Sequence, residues 1–433
     1  MGSQFQEPST SPNVAIIGAG LTGLLAAHGL KKNGFSNITI YDRDSSPTCR
    51  PRDWTIVLHW AMPAFLDLLL PGRHQNKGQT LNGQGRGSEE FLAQALCNPN
   101  IEFSEYTESL VCYNGQTGDH LFSSLMKDSR RVSRQKLRNV LLQGLEAEGI
   151  SVQWGKQLVE ICQEHGTNHA DESLSLRFSD GSVTTGIDYV LGADGPSSKV
   201  RELLFQGKGE DAKLASSGFV MSSCLATYPD TEVIEKLVEK HPVASLTMSL
   251  HSVMGYGVMY APNPDDKSTW TAFWHKIWKS NLAALPVSRT GQEALDYLKS
   301  STTGLPEPFQ SAIDKTPAGS PCCIDELKYW NPRPFQHPSG RVTLAGDAAH
   351  PMLPYRGQGY QHAVTDVRNF VDAMTKICCG GEDSKHTMAE YDAELVKRGS
   401  EAVMQALKEA ELSMNPETVG RMLMVRKGHG KSA

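Results

Sequence analysis

Three glycines at a fixed spacing, Gly18, Gly20 and Gly23, stand between an apolar run (14–17) and a segment with helical spacing (24–32). In a strand–turn–helix setting the first glycine permits a tight turn and the second lets backbone N–H groups approach a pyrophosphate; the third permits close packing of helix on sheet. Leu21 and Thr22 complete the turn, and the helix N-terminus attracts the phosphate charge. A second apolar strand, 38–41, ends at Asp42, followed by Arg43. A carboxylate there accepts hydrogen bonds from ribose hydroxyls, so these residues are expected to bind a dinucleotide. FAD and NAD share this pattern, and it does not choose between them.

Two later stretches carry further chemistry. One is Leu191-Gly192-Ala193-Asp194-Gly195-Pro196-Ser197-Ser198-Lys199-Val200-Arg201. The other is Ala345-Gly346-Asp347-Ala348-Ala349-His350-Pro351-Met352-Leu353-Pro354-Tyr355-Arg356-Gly357-Gln358-Gly359. Plain NAD dehydrogenases have neither. With these three motifs in this order the chain resembles the single-component FAD-dependent aromatic hydroxylases, the p-hydroxybenzoate and salicylate hydroxylase family, and in particular their fungal secondary-metabolism branch. The resemblance covers about 12–60, 130–205 and 335–370.

The resemblance implies that Gly346 and Asp347 meet the ribitol and phosphate region of FAD, and that Asp194 lies in a motif used for both FAD and NAD(P)H. Pro354, Gly357, Gln358 and Gly359 would lead into a helix whose N–H groups face the flavin pyrimidine edge. Arg134, in Arg134-Gln135-Lys136-Leu137, and Arg52 match the family's FAD-contacting arginines. Gln361 stands where many members have an asparagine that touches the flavin, and an amide contact is expected to survive. Thr55 stands where a glycine commonly follows the arginine.

The implied reaction is monooxygenation. NAD(P)H, a transient co-substrate, reduces FAD, O₂ gives a C4a-hydroperoxyflavin, and oxygen passes to an electron-rich substrate, a phenolic polyketide or an indole alkaloid. A flavin-dependent dehydrogenase or reductase on the same fold is the main rival. The halogenase signature W-x-W-x-I-P is absent, and a non-catalytic carrier is the remote alternative.

Candidate acid–base residues are His59, whose titration range suits proton exchange near neutrality, with Tyr355 and Arg356 beside the flavin helix. His350 more naturally orients its loop than reacts. His165 and His169 are four apart, but Gly166 and Asn168 favour a loop over a metal-binding helix, and no metal is expected. No G-x-S-x-G elbow occurs.

These residues need a frame. The pattern predicts an α/β fold, and the resemblance implies a Rossmann-like FAD domain of the p-hydroxybenzoate hydroxylase type assembled discontinuously from 12–60, 130–210 and 335–370. A substrate domain built on a β-sheet is interleaved from 61–129 and 211–334, and a helical region covers 371–433. The stretch 76–88, rich in Gly, Asn and Gln, reads as a surface loop, and 134–149 as a helix. Trp270, Trp274 and Trp278 fit one face of a helix or of a strand; flanking threonines favour a strand, and the stripe reads as core or sheet face rather than an aromatic cage.

Bulk properties name no macromolecular partner. At 433 residues two domains are expected; 39% hydrophobic and 21% charged residues suit a folded enzyme, and a net charge of −6 offers no basic stripe for nucleic acid. Nine cysteines with no C-x-x-C suggest reduced thiols rather than a disulfide framework or a zinc site. The first eleven residues are polar and no long apolar run occurs, so a cytoplasmic protein without a membrane span is expected.

Overall fold

The computed structural model describes residues 11–70, 86–101, 109–126, 128–164, 173–206, 209–335 and 337–428. The expected loop at 76–88 lies outside them up to residue 85, and the chain is helical over Arg86–Ala93. The pair His165 and His169 also lies outside the described residues.

The nucleotide side is a five-stranded sheet in the order Val342–Leu344, Tyr189–Gly192, Val14–Ile17, Ile38–Asp42, Val152–Trp154. Every pairing in it is parallel, with Val14 opposite both Tyr189 and Ile38. Its central strands are buried along their whole length, which is why they read as unbroken apolar runs rather than alternating ones. Helix Leu21–Lys32 packs against helices Arg134–Ala147 and Gly359–Cys378, and buries Leu24, Leu25 and Leu30. Ser133 caps the second of these helices by accepting from the Lys136 N–H at 3.0 Å. A three-stranded antiparallel sheet, Leu158–Glu164, Ser173–Phe178 and Val183–Ile187, lies earlier in the chain than strand Tyr189–Gly192.

The second layer is a seven-stranded mixed sheet. Its order is Cys322–Tyr329, Ala215–Thr227, Thr271–Lys279, Ser252–Tyr260, Ala244–Ser249, Ser109–Asn114, His120–Leu125. Only the contact between Ala244–Ser249 and Ser109–Asn114 is parallel. The tryptophans lie on or beside its strand Thr271–Lys279: Trp270 and Trp274 are buried in a core of their own, and Trp274 donates from Nε1 to Thr316 Oγ1 at 3.0 Å. The strand is therefore as the flanking threonines suggested, and the tryptophans pack in a core. The alternate residues Phe273, His275 and Ile277 face the cleft between the layers.

A two-stranded ribbon, Thr55–Leu58 with Arg130–Ser133, edges this cleft. The described residues of 61–129 are shared between the layers rather than given to one. Helix Met62–Leu68, with Leu92, Ala95 and Leu96, joins the nucleotide-side core, while the strands at Ser109–Asn114 and His120–Leu125 enter the large sheet. Among the described residues no helix is long and apolar enough to cross a membrane, and no cluster of His, Cys, Asp and Glu could hold a metal.

Candidate active site at the interlayer cleft

Backbone contacts bring the three motifs together. Gly18 has a φ of 110°, and a Cβ on it would lie 2.3 Å from the Ala193 carbonyl oxygen, so the first turn can sit on the second motif only as glycine. Gly346 has a φ of 62°, and a Cβ there would meet Thr22 Oγ1 at 2.5 Å, which ties the third motif to the first helix. By contrast, nothing lies within 4 Å of the Cβ position at Gly20 or Gly195, where the backbone is open to the cleft. Asp42 accepts the Ala19 N–H at 2.7 Å and the Asp44 N–H at 2.8 Å, which fixes its carboxylate at the cleft edge.

Asp194 Oδ2 accepts the Lys199 N–H at 2.7 Å, whereas Oδ1 is buried with no partner among the described residues. Burial pushes this carboxyl above its ordinary range. Asp347 is exposed to the cleft; desolvation by the surrounding protein raises its pKa, opposed by the charges of His350 and Arg134. An orphaned buried oxygen and a glycine cradle are what a bound dinucleotide would complete. The residues therefore fit FAD.

One wall is basic. Arg134 lies over the Trp54 ring at 4.7 Å, and Arg138, one helical turn on, donates from Nε to the Ala19 carbonyl at 2.8 Å and from Nη1 to Pro47 O at 2.7 Å. Sequence reasoning missed Arg138, although its i+4 spacing from Arg134 on a predicted helix was the available signal. Arg52 also lines the cleft, but its guanidinium pairs with Asp325 of the large sheet and reaches Cys323 Sγ at 2.8 Å. Asp53 is buried between them and the ribbon: it accepts from Ser133 Oγ, Tyr260 OH, and the Trp54 and Gln135 N–H groups.

The third motif forms a turn ahead of helix Gly359–Cys378. Pro354, Tyr355, Arg356, Gly357 and Gly359 line the cleft. Gln358, Gly346 and Gly23 support it from behind; Gln358 Oε1 accepts from Trp60 Nε1 at 2.9 Å. His59 corrects the sequence expectation. It is buried, does not line the cleft, and its Nε2 lies 3.1 Å from the Gly357 carbonyl, so it braces the turn rather than facing a substrate. Gln361 is a second correction. Its Oε1 accepts the His59 N–H at 3.1 Å and its Nε2 donates to Val57 O at 2.6 Å, so the amide is spent on the ribbon and does not reach the cleft. The longer side chain carries the amide group into the protein.

Tyr355 presents its ring to the cleft, while its hydroxyl accepts from Ser413 Oγ at 3.0 Å and burial pushes its pKa up. Arg356, at a φ of 61°, donates from Nη2 to the Gly428 carbonyl at 3.3 Å. Neither is poised as an acid or base. His350 Nε2 meets Asp366 Oδ2 at 2.7 Å, and that same oxygen accepts the Gly346 N–H at 2.7 Å. Burial alone would raise the Asp366 pKa, but His350 and Arg398 outweigh it and hold it at about 2.

Beyond the turn the cleft becomes apolar, lined by Leu110, Met126, Leu246, Val253, Ile277 and Met424 among others. Its volume is about 1350 Å³, above the roughly 300–1,000 Å³ of an ordinary small-molecule site, so it has room for a dinucleotide and a second molecule.

The FAD binding domain family matches this chain over residues 11–406. The FAD-dependent monooxygenase phnB of Penicillium herquei is 32% identical over 410 residues, covering 93% of this chain and 92% of that protein. The FAD-dependent monooxygenase cctM of Talaromyces islandicus is 29% identical over 408 residues, covering 92% of each. Among solved structures, a salicylate hydroxylase substrate complex aligns with a TM-score of 0.71 at 18% identity, covering 97% of this chain and 96% of that one. The 2,6-dihydroxypyridine-3-hydroxylase of Arthrobacter nicotinovorans aligns at 0.69 with 19% identity, covering 94% of each. The structures speak to the fold and the sequences to descent: this chain belongs to the FAD-binding-domain family, among its FAD-dependent monooxygenases.

Proposed function

We propose that the protein hydroxylates or epoxidises an electron-rich natural product of secondary metabolism, consuming O₂ and NAD(P)H. The observation that carries this reading is that one cleft is lined both by Gly18, Asp194 and Asp347 and by a group of apolar side chains such as Leu246, Val253 and Ile277. Bound FAD, once reduced by nicotinamide, supplies the activated oxygen.

The chain's own residues do the rest. Gly18, Gly20, Leu21 and Thr22 present backbone to the pyrophosphate, with Gly23 packing the helix behind them; Asp42 and Arg43 take the ribose and its surroundings. Arg134, Asp347 and Gly346 hold the ribitol and phosphate region, and Asp194 Oδ1 completes its hydrogen bonding there. The turn Pro354–Gly359 aims N–H groups at the ring. Apolar side chains around Leu246 and Ile277 exclude water from the oxygen-transfer site, which suppresses unproductive loss of the activated oxygen.

Support also comes from the named relatives, which are FAD-dependent monooxygenases in filamentous fungi. The rival dehydrogenase or reductase reading separates at one experiment. Product formed under ¹⁸O₂ with NAD(P)H and candidate phenolic intermediates should carry one labelled oxygen by mass spectrometry. Oxidised product without label would establish the rival.

A further inference from the structure

The apolar chamber holds two polar groups that the preceding reading does not use. Arg131, on the ribbon strand Arg130–Ser133, lines the cleft. Its Nη1 donates to Thr55 Oγ1 at 2.6 Å, but among the described residues its buried Nε has no hydrogen-bond partner and no carboxylate pairs with it. Burial disfavours its charge. A guanidinium in that condition is costly to keep unless something arrives to match it.

His275, on the facing strand Thr271–Lys279, also lines the cleft and, among the described residues, has no hydrogen bond to either ring nitrogen. Its ring is parallel to Phe273, 3° apart in plane with centroids 6.1 Å apart, and the Arg131 guanidinium lies 5.6 Å from the centre of the Phe273 ring. The neighbouring strand makes room for both rings. Gly255 lies opposite His275 and Gly257 opposite Phe273, and a Cβ would come within 2.2 Å of His275 Cε1 at the first and 2.7 Å of Phe273 Cε1 at the second. Burial, then the charge of Arg131, lower the His275 pKa to about 4, so the imidazole is neutral and offers one N–H without repelling the arginine.

Resting on the monooxygenase reading, we propose that Arg131 and His275 form an oxyanion subsite over the Phe273 platform, which makes the substrate an acid that binds as its anion. The platform supplies a flat apolar face for a planar ring, Arg131 the countercharge, and His275 a neutral donor. Thr55 Oγ1, which accepts from Arg131 Nη1, holds the guanidinium against the ribbon. Of the two substrate classes the sequence suggested, the acidic phenolic polyketide fits and a cationic alkaloid is repelled.

The test is calorimetric binding to the FAD-loaded protein without nicotinamide, so that it does not depend on oxygen transfer. Probes come in charged and neutral pairs: 2-naphthoate with 2-naphthamide, and 4-nitrophenolate with 4-nitroanisole at about pH 8, where the nitrophenol is ionised. In at least one pair the anion should bind about tenfold or more tighter than its neutral partner, and the pair that discriminates tells carboxylate from phenolate recognition. Arg131→Met should abolish that preference with the neutral probe unchanged, Arg131→Lys should restore part of it, and His275→Gln should weaken the anion less than Arg131→Met does. Wild-type protein that binds both members of both pairs equally overturns the proposal, whatever the variants do. Anion preference without labelled product under ¹⁸O₂ would instead leave this subsite standing and remove the monooxygenase reading.

Discussion

Single atoms decide much of what the nucleotide end can tolerate. Gly18→Ala places a methyl group 2.3 Å from the Ala193 carbonyl oxygen at a φ of 110°; both are backbone obstacles, so nothing nearby can rotate away. Purified protein should carry less than about a tenth of its flavin, read as flavin absorbance against protein absorbance, since that contact is where two motifs meet. Full flavin occupancy would refute the convergence. His59 gives the opposite kind of prediction. With Nε2 on the Gly357 carbonyl and no face on the cleft, its replacement by alanine should lower thermal stability by about 1–3 kcal/mol. The pH profile of turnover should keep its shape. A shifted acid or base limb would return His59 to catalysis. The sequence could place His59 after a strand leading toward the substrate side but not orient its ring, because orientation depends on a carbonyl 298 residues away.

At the scale of elements, the joint between ribbon, basic wall and large sheet turns on Asp53. One carboxylate takes two hydroxyls and two amide N–H groups from three stretches of the chain. Asp53→Ala should cost at least about 2 kcal/mol in denaturant unfolding and loosen the Arg52–Asp325 pairing with it. Asp53→Asn should cost less, and equal losses would show that the site is merely packed. How much of this was legible varies by element. The parallel sheet and its glycine turn were readable because their signals are local: an unbroken apolar run, then glycines at fixed spacing. Strand Thr271–Lys279 was readable once its threonines broke the tie between two periodicities. The Met62–Leu68 helix was read onto the wrong layer, because apolar residues such as Phe65 and Leu68 announce burial without saying against what. Arg131 and His275 were invisible for the same reason: each looks like an ordinary strand residue until the two strands face one another.

For the molecule as a whole, acid should act early. His28 is held at about 4, His275 at about 4 and His362 at about 3, in each case chiefly by burial. The unfolded chain protonates these rings near 6.5 and the folded one does not, so stability is complete above about pH 6.5 and falls as the pH drops toward 4, by about 1.4 kcal/mol per unit for each histidine. The Asp366 carboxylate, held at about 2, adds a loss only below about pH 4. Melting temperature measured from about pH 7.5 down to 4.5 should decline across the histidine range, and a flat curve would mean that these rings are hydrated in solution. The two-faced strand Thr271–Lys279 has a bearing on how such an enzyme diversifies. Its even positions are anchored by Trp274 in a separate core while its odd positions, Phe273, His275 and Ile277, look into the chamber. Changes of specificity can therefore accumulate on one side while the other keeps the scaffold intact, and a mutant library confined to those three odd positions should yield mostly folded, flavin-loaded proteins with altered appetites.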